Sequence, residues 1–240
     1  MNIYHPYTIF PLGDSALTVD FGNLIDEETN RKVMDLFRQL KEERLPFILD
    51  LLPAYSSLTI YYDVSDVHAL NPQEQTAFET MVDIIEAYTA TDSRRAERDE
   101  RLIEVPVCYF EKYAPHIAEL AEQRDISVED VISIHTSMTY RVYMIGFLPG
   151  FAYMGQVDET IAAPRRAIPA NVVPGSVGIA GRQTGIYPLH SPGGWNIIGR
   201  TPLRLFNKSE NDPVLFHPGD QVKFYSISEN EFANYKGRRV

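Results

Sequence analysis

Residues 7–12 and 16–21 read as two strands joined by a turn at Gly13-Asp14-Ser15. From about Asp26 the period changes to that of a helix. Val33, Phe37 and Leu40 fall on one face, and acids occupy the first turn, where they oppose the helix dipole. Residues 47–52 and 57–62 then form a second strand pair around Pro53-Ala54-Tyr55. A second helix is expected from Asn71-Pro72, a capping residue followed by proline at the first helical position. Its apolar face is Phe78, Met81, Val82, Ile85 and Tyr88. The order ββαββα, closed by a strand at 102–108, predicts a ferredoxin-like layer of helices on a sheet.

The stretch 89–101 (TATDSRRAERDER) has no large apolar residue and is crowded with charge, which reads as an interdomain linker or solvated loop, the alternative being the polar end of the second helix. Two domains follow from it, 1–90 and 98–240. The second half begins with two short helices. One opens at Pro115. The other opens at Ser127, where Ser127-x-x-Asp130 resembles a capping box and Val128, Val131, Ile132 and His135 share a face. Beyond Tyr140 the chain becomes short strands punctuated by glycine and proline, with candidates at 140–147, 176–180, 195–198, 203–206 and 221–227. Ten of the fourteen glycines lie between Gly146 and Gly199. Short strands with tight turns favour a closed barrel over an open sheet. The fold class is therefore α+β, a sandwich followed by a barrel.

Composition narrows the functional classes. The net charge of -11 would repel phosphate backbones, so nucleic acid is not an expected partner. The stretch 142–155 is the most apolar, yet it is short and broken by Gly146, Pro149 and Gly150, so no membrane span is expected. No signal peptide is recognisable, and the single cysteine, Cys108, fits a reducing compartment, so a cytoplasmic location is expected. Between Val131 and Phe206 six arginines (Arg141, Arg165, Arg166, Arg182, Arg200 and Arg204) face only Asp158 and Glu159. Arginine offers a planar fork of donors suited to carboxylates and phosphates, and it also caps backbone carbonyls in loop-rich regions. Composition leaves both uses open.

Common catalytic signatures are missing. There is no phosphate-binding P-loop, and Gly175-x-x-Gly178-x-x-Gly181 has the wrong spacing for a dinucleotide fingerprint. Ser176 lacks the flanks of a nucleophile elbow, the six histidines are scattered, and no metal site is expected. Four segments nonetheless concentrate glycine and aromatic residues. In the first, 140–151, strand alternation would place Arg141, Tyr143 and Ile145 on one face and Tyr140, Val142 and Met144 on the other. The second runs from Ala163-Pro164-Arg165-Arg166 to Gly175-x-x-Gly178-x-x-Gly181, glycines that permit close approach by a neighbouring strand or a ligand. The third is 183–188, and the fourth is 191–202, where the Gly193-Gly194 amides beside Ser191 and Trp195 suit an anion-holding nest. His135 reads as a satisfied core histidine or as a ligand contact.

Taken in order, PLGDSALTVDFG, LLPAYSSLTIYYD, IEVPVCY, IHTSMTYRVYMIGFLPGFAYMG, PRR, PGSVGIAGRQTGIYPLHSPGGWNIIGRTPLRLF and PGDQVKF resemble the KipI/PxpB family, the B subunits of bacterial 5-oxoprolinase, also described as allophanate hydrolase subunit 1. The resemblance spans 7–225; His190 stands where a small polar or acidic residue is expected. It implies a cyclophilin-like closed barrel for the second domain. It also implies work within a complex with the other two 5-oxoprolinase components, a carboxyltransferase-like C subunit and an A subunit, opening the lactam of 5-oxoproline to glutamate. ATP with Mg is the implied cofactor, bound by the complex if not by this chain. Within these motifs Arg141, Arg165, Gln183, Tyr187 and Ser191 are candidate catalytic residues. Thr184, Gly193, Gly194, Trp195, Arg200 and His135 are candidate substrate or anion contacts. Two other readings come from the same resemblance: an inhibitor that grips a sensor histidine kinase, and a carboxyltransferase half-site, although nothing in the chain carries biotin.

Overall fold

The computed structural model describes residues 7–90 and 101–236. The chain divides into two compact units, Met1–Arg98 and Asp99–Val240. Most of the charged stretch read as a linker, 91–100, lies outside the described residues.

The first unit runs β1 (Thr8–Pro11), β2 (Ala16–Asp20), α1 (Glu27–Glu43), β3 (Ile48–Pro53), β4 (Ser57–Tyr62), α2 (Val64–Leu70) and α3 (Ala77–Ala90). Its sheet has the order β1-β2-β4-β3, and every neighbouring pair is antiparallel. The period of two puts Leu17, Val19, Leu58, Ile60 and Tyr62 on one face, where they are buried with Val33, Leu36 and Leu40 of α1 and Met81 and Ile85 of α3. Asp26 caps α1 by accepting from the Thr29 amide at 2.9 Å. Two expectations are corrected here. No helix begins at Asn71-Pro72. Asp63 instead caps the earlier α2, for which Asn71 is the C-cap, and α3 opens after Thr76, whose hydroxyl and amide exchange hydrogen bonds with Glu79. The strand at 102–108 does not close this sheet either; its residues pair in the second unit.

The second unit runs β5 (Leu102–Val107), α4 (Ile117–Arg124), α5 (Val128–Ser137), β6 (Thr139–Ile145), β7 (Ala152–Gly155), β8 (Ala170–Val172), β9 (Ser176–Ala180), β10 (Gln183–Ile186), β11 (Ser191–Gly193), β12 (Asn196–Arg200), β13 (Gln221–Ser226) and α6 (Glu229–Ala233). Seven strands form one mixed sheet in the order β12-β9-β10-β7-β6-β13-β5, with β13 and β5 parallel. Cys108 and Arg200, at the ends of the two edge strands, exchange backbone hydrogen bonds of 2.9 and 3.0 Å, which brings the sheet close to a closed barrel. Its interior holds the larger core, including Val105, Tyr140, Val142, Met154, Ile179, Ile186 and Phe224. The capping box at Ser127 and Asp130 is formed, whereas α4 opens at Ile117 with His116 as its cap rather than at Pro115. Residues 203–206 make no ladder beyond the isolated bridge Phe206–Val214, although Leu203 and Leu205 are buried.

One irregularity reorganises the expected strand at 140–147. The register shifts between Val142 and Met144, so Arg141 lies opposite Gly155 and Met144 opposite Tyr153. Simple alternation would have grouped Arg141 with Tyr143 and Ile145. The bulge leaves Arg141 and Tyr143 together on the outer face, where the Tyr143 ring lies 3.4 Å from where a Cβ on Gly155 would stand, but it adds Met144 to that face and turns Ile145 toward the core with Tyr140 and Val142.

Candidate functional site

Two rows of paired residues define the outer face where β6, β7, β10 and β9 run side by side. Arg141, Gly155, Gln183 and Ala180 form one row, and Met144, Tyr153, Gly185 and Gly178 form the next. The intervening row, Val142-Met154-Thr184-Ile179, points into the barrel. Gly178 and Gly185 leave the second row flat. A Cβ on Gly185 would lie 3.1 Å from Cζ3 of Trp195, and one on Gly178 would lie 3.1 Å from its Cβ. The close approach that these glycines permit is therefore taken up by the only tryptophan.

Around Trp195 a second apolar cluster forms outside the barrel, with Phe151, Val172, Ala180, Tyr187 and Ile197, and Leu148 and Tyr153 beside it. The rings of Phe151, Tyr153, Tyr187 and Trp195 meet edge to face at centroid distances of 4.8 to 6.4 Å, the preferred geometry for aromatic quadrupoles. Phe147 adds its edge to Phe151 and Tyr187 from a hairpin tip where its φ is +69° and its side chain is 61% exposed. The β8–β11 ribbon runs alongside: Ser191 pairs with Val172 and Gly193 with Ala170. Gly193 lies tight against Tyr187, since a Cβ there would be 2.5 Å from the tyrosine oxygen.

The polar groups on this face are few. Tyr187 accepts a hydrogen bond from the Trp195 amide, and burial still pushes its hydroxyl pKa up. Tyr153 is raised by the same cause, and the Arg165 guanidinium opposes the shift at both tyrosines, so its charge lies close to both. Arg165 itself is exposed. The Ser191 hydroxyl oxygen is buried and has no hydrogen-bond partner among the described residues. Arg166 gives its amide to the Gly194 carbonyl at 2.7 Å and its guanidinium to Glu119 at 2.7 Å, so it anchors the turn.

The candidates named from sequence thus divide. Arg165, Gln183, Tyr187, Ser191, Gly193, Gly194 and Trp195 lie on or beside the outer aromatic face. Arg141 belongs to the same face by register and is only 4% exposed. His135 and Thr184 belong to the interior instead. Both are completely buried, and they share a hydrogen bond of 3.0 Å. Thr184 donates to the Gly178 carbonyl, so it accepts from His135 Nε2–H, which leaves Nδ1 to accept from the Tyr109 hydroxyl at 2.8 Å. Neither side chain is open to a ligand. Arg200 is also engaged, donating Nε to the Pro174 carbonyl at 2.8 Å and covering the Phe232 ring. The carbonyl-capping use of arginine holds at this position.

Sequence reasoning passed over Tyr153 and His116. His116 lies beside Arg166 and Glu119, and its Nδ1 and backbone amide bond the amide and carbonyl of Ile197, extending the β12 edge. No spacing rule marks a lone histidine that substitutes for a strand. Among the described residues no group of three or more His, Cys, Asp or Glu is arranged to hold a metal ion. The face offers an arginine and hydroxyls to an anion, but no carboxylate set for a divalent cation.

A helix-covered antiparallel sheet joined to a nearly closed mixed barrel defines the class: residues 7–216 match the family described as carboxyltransferase domain, subdomain C and D. The chain belongs to this family, within its KipI/PxpB members. It is 43% identical over 232 residues to the B subunit of 5-oxoprolinase from Bacillus subtilis (strain 168), covering 96% of this chain and 97% of that one. It is 34% identical over 221 residues to the protein of the same name in Escherichia coli O157:H7, covering 91% and 95%. Among solved structures, TTHA0988 superposes with a TM-score of 0.75 at 31% identity, over 89% of this chain. This chain spans only 40% of that longer one.

Proposed function

We propose that the chain is the B subunit of an ATP-dependent 5-oxoprolinase, which opens the lactam of 5-oxoproline to L-glutamate together with an A subunit and a carboxyltransferase-like C subunit. The observation that carries this reading is the extent of the similarity. Two bacterial 5-oxoprolinase B subunits match along at least 95% of their own length. The partial coverage of TTHA0988 supports a companion, because a related chain carries a further segment covalently joined to its version of this one. A cytoplasmic location suits the lone buried cysteine, and no helix among the described residues is long and apolar enough to cross a membrane.

The finer fold reading is a ferredoxin-like sandwich followed by a cyclophilin-like barrel, with domains at 1–90 and 98–240. It draws on the layered helices of the first unit and the Cys108–Arg200 closure of the second. On the outer face, Arg165 would hold the substrate carboxylate against the Tyr153 and Tyr187 rings. The unpaired Ser191 hydroxyl and the Gly193-Gly194 turn would orient the amide. Gln183 and Arg141 would extend this polar edge. His135, Thr184 and Arg200 act on the scaffold rather than on substrate. ATP drives lactam opening in the complex. Among the described residues this face carries no carboxylate set for Mg, which supports a nucleotide site formed by the complex.

Reconstitution tests this. Glutamate release from 5-oxoproline should require this chain together with the A and C subunits. Arg165→Ala, at an exposed position, should assemble normally and turn over slower, on the order of a hundredfold. Full activity with this chain omitted would overturn the assignment. Full activity of the variant would overturn only the role of Arg165.

A further inference from the structure

Away from the aromatic face, the second unit carries a groove of about 730 Å3 between α4 and α5 on one side and the segment leading into α6 on the other. Its floor and walls are apolar. Ile117 and Ala118 come from α4, Val128 and Ile132 stand one turn apart on α5, and Phe110 is 55% exposed at one end. The deep hydroxyl, that of Tyr109, is already engaged by His135, and the exposed Ser228 hydroxyl at the edge is held by Glu231 in the α6 capping box. The remaining ionisable groups among its lining residues are three carboxylates, Glu111, Glu129 and Glu229, and the buried Cys108 thiol. None of the three carboxylates has an ion-pair partner among the described residues.

A small-molecule pocket places a few convergent polar groups inside an apolar enclosure. Here the interior is apolar and the free charges line the edge, which is the arrangement of a protein interface with a dry centre and a polar rim. The single sign of the rim states what it would meet. We propose that this groove docks an amphipathic segment of a companion protein in the enzyme complex, with its apolar side chains against Phe110, Val128 and Ile132 and its lysines or arginines against Glu111, Glu129 and Glu229. This rests on the reading of the chain as one component of a larger enzyme. It assigns the contact to a surface that contains none of the residues proposed to touch substrate.

The test uses full-length chain with the A and C subunits, following assembly by native mass spectrometry and affinity by titration. Two variants are compared with wild type: Glu111→Gln/Glu129→Gln/Glu229→Gln, and Phe110→Asp. Both alter solvent-accessible side chains, and unchanged thermal melting of each variant alone shows that it is folded. The charge variant is expected to bind its companions more weakly, on the order of tenfold at low salt, with the difference fading at high ionic strength. Phe110→Asp should weaken assembly at every salt concentration. Wild-type affinity in both variants, with an active complex, would overturn the groove and leave the enzyme assignment standing. A wild-type chain that joins neither companion would overturn both. Stronger assembly by the charge variant would show that the rim meets carboxylates and would reverse the proposed chemistry.

Discussion

His135 is a side chain wholly committed to its neighbours in the folded protein. Its ring stacks on Phe224 at 4.6 Å, lies beside Tyr140 at 5.3 Å, and has both nitrogens committed. Burial alone lowers its pKa to about 3, so it is neutral in the folded protein. In the unfolded chain the imidazole titrates near 6.5. As pH falls below that value the unfolded state takes up a proton that the folded state refuses. Stability therefore declines, and this contribution levels off only near the folded pKa of about 3. For this one group the loss is about 1.4 kcal/mol per pH unit, or about 2 kcal/mol at about pH 5. His135→Gln should be less stable near neutrality, yet lose about 2 kcal/mol less than wild type between about pH 7.5 and about pH 5 in urea titrations. Identical pH dependence of the two proteins would show that His135 is not held neutral. The helical spacing of Val128, Val131, Ile132 and His135 put His135 on an apolar face and left open whether it served the core or a ligand. Its partners, Tyr109 and Thr184, lie 26 and 49 residues away and follow from no local pattern.

At the scale of elements, the β8–β11 ribbon is the device that completes the aromatic face. It is only three residues long on each side, and it runs beside Tyr187 because Gly193 has no side chain to hold it away. Gly193→Ala would bring a methyl group to within 2.8 Å of both Tyr187 Cζ and Val172 Cγ2, and closer still to the hydroxyl. Overpacking of this kind costs about 1–3 kcal/mol. Thermal unfolding should register that loss, and the emission of the single tryptophan should shift as the Trp195 environment opens. Unchanged stability and emission would mean that the ribbon moves freely relative to Tyr187. The glycine-rich motifs were legible as sites of close approach, but which group approaches was not. The occupant of Gly178 and Gly185 is a side chain from a turn ten or more residues downstream. The same limit applies to β7, β8, β10 and β11, whose segments of three or four residues are too short to display a period.

For the whole molecule, the core of each unit is assembled from its own elements. Arg101 ties the start of β5 to the segment leading into β13 through the Asp220 carboxylate and the Leu215 carbonyl, and β5 runs parallel to β13. We propose on this basis that a fragment beginning at Asp99 folds alone. It should melt in one cooperative transition, whereas a fragment beginning at Cys108 should not, having lost the strand beside β13; loss of cooperativity in the longer fragment would refute the division. Sequence alone determined the helix opening near Asp26, the strand pairs of the first unit, the capping box at Ser127, the barrel-forming character of the second half and the family. Periodicity, caps and contiguous motifs are local properties, and a chain carries them before it folds. Tertiary structure alone decided that Leu102–Val107 leaves the first sheet for the second, where a parallel partner becomes available only when β13 arrives. It also decided that the bulge in β6 turns Met144 outward beside Arg141 and Ile145 inward, and that Thr184 and His135 point in while Gln183 and Tyr187 serve the outer face. Those assignments depend on register between strands distant in sequence, and a shift of one residue exchanges the two faces.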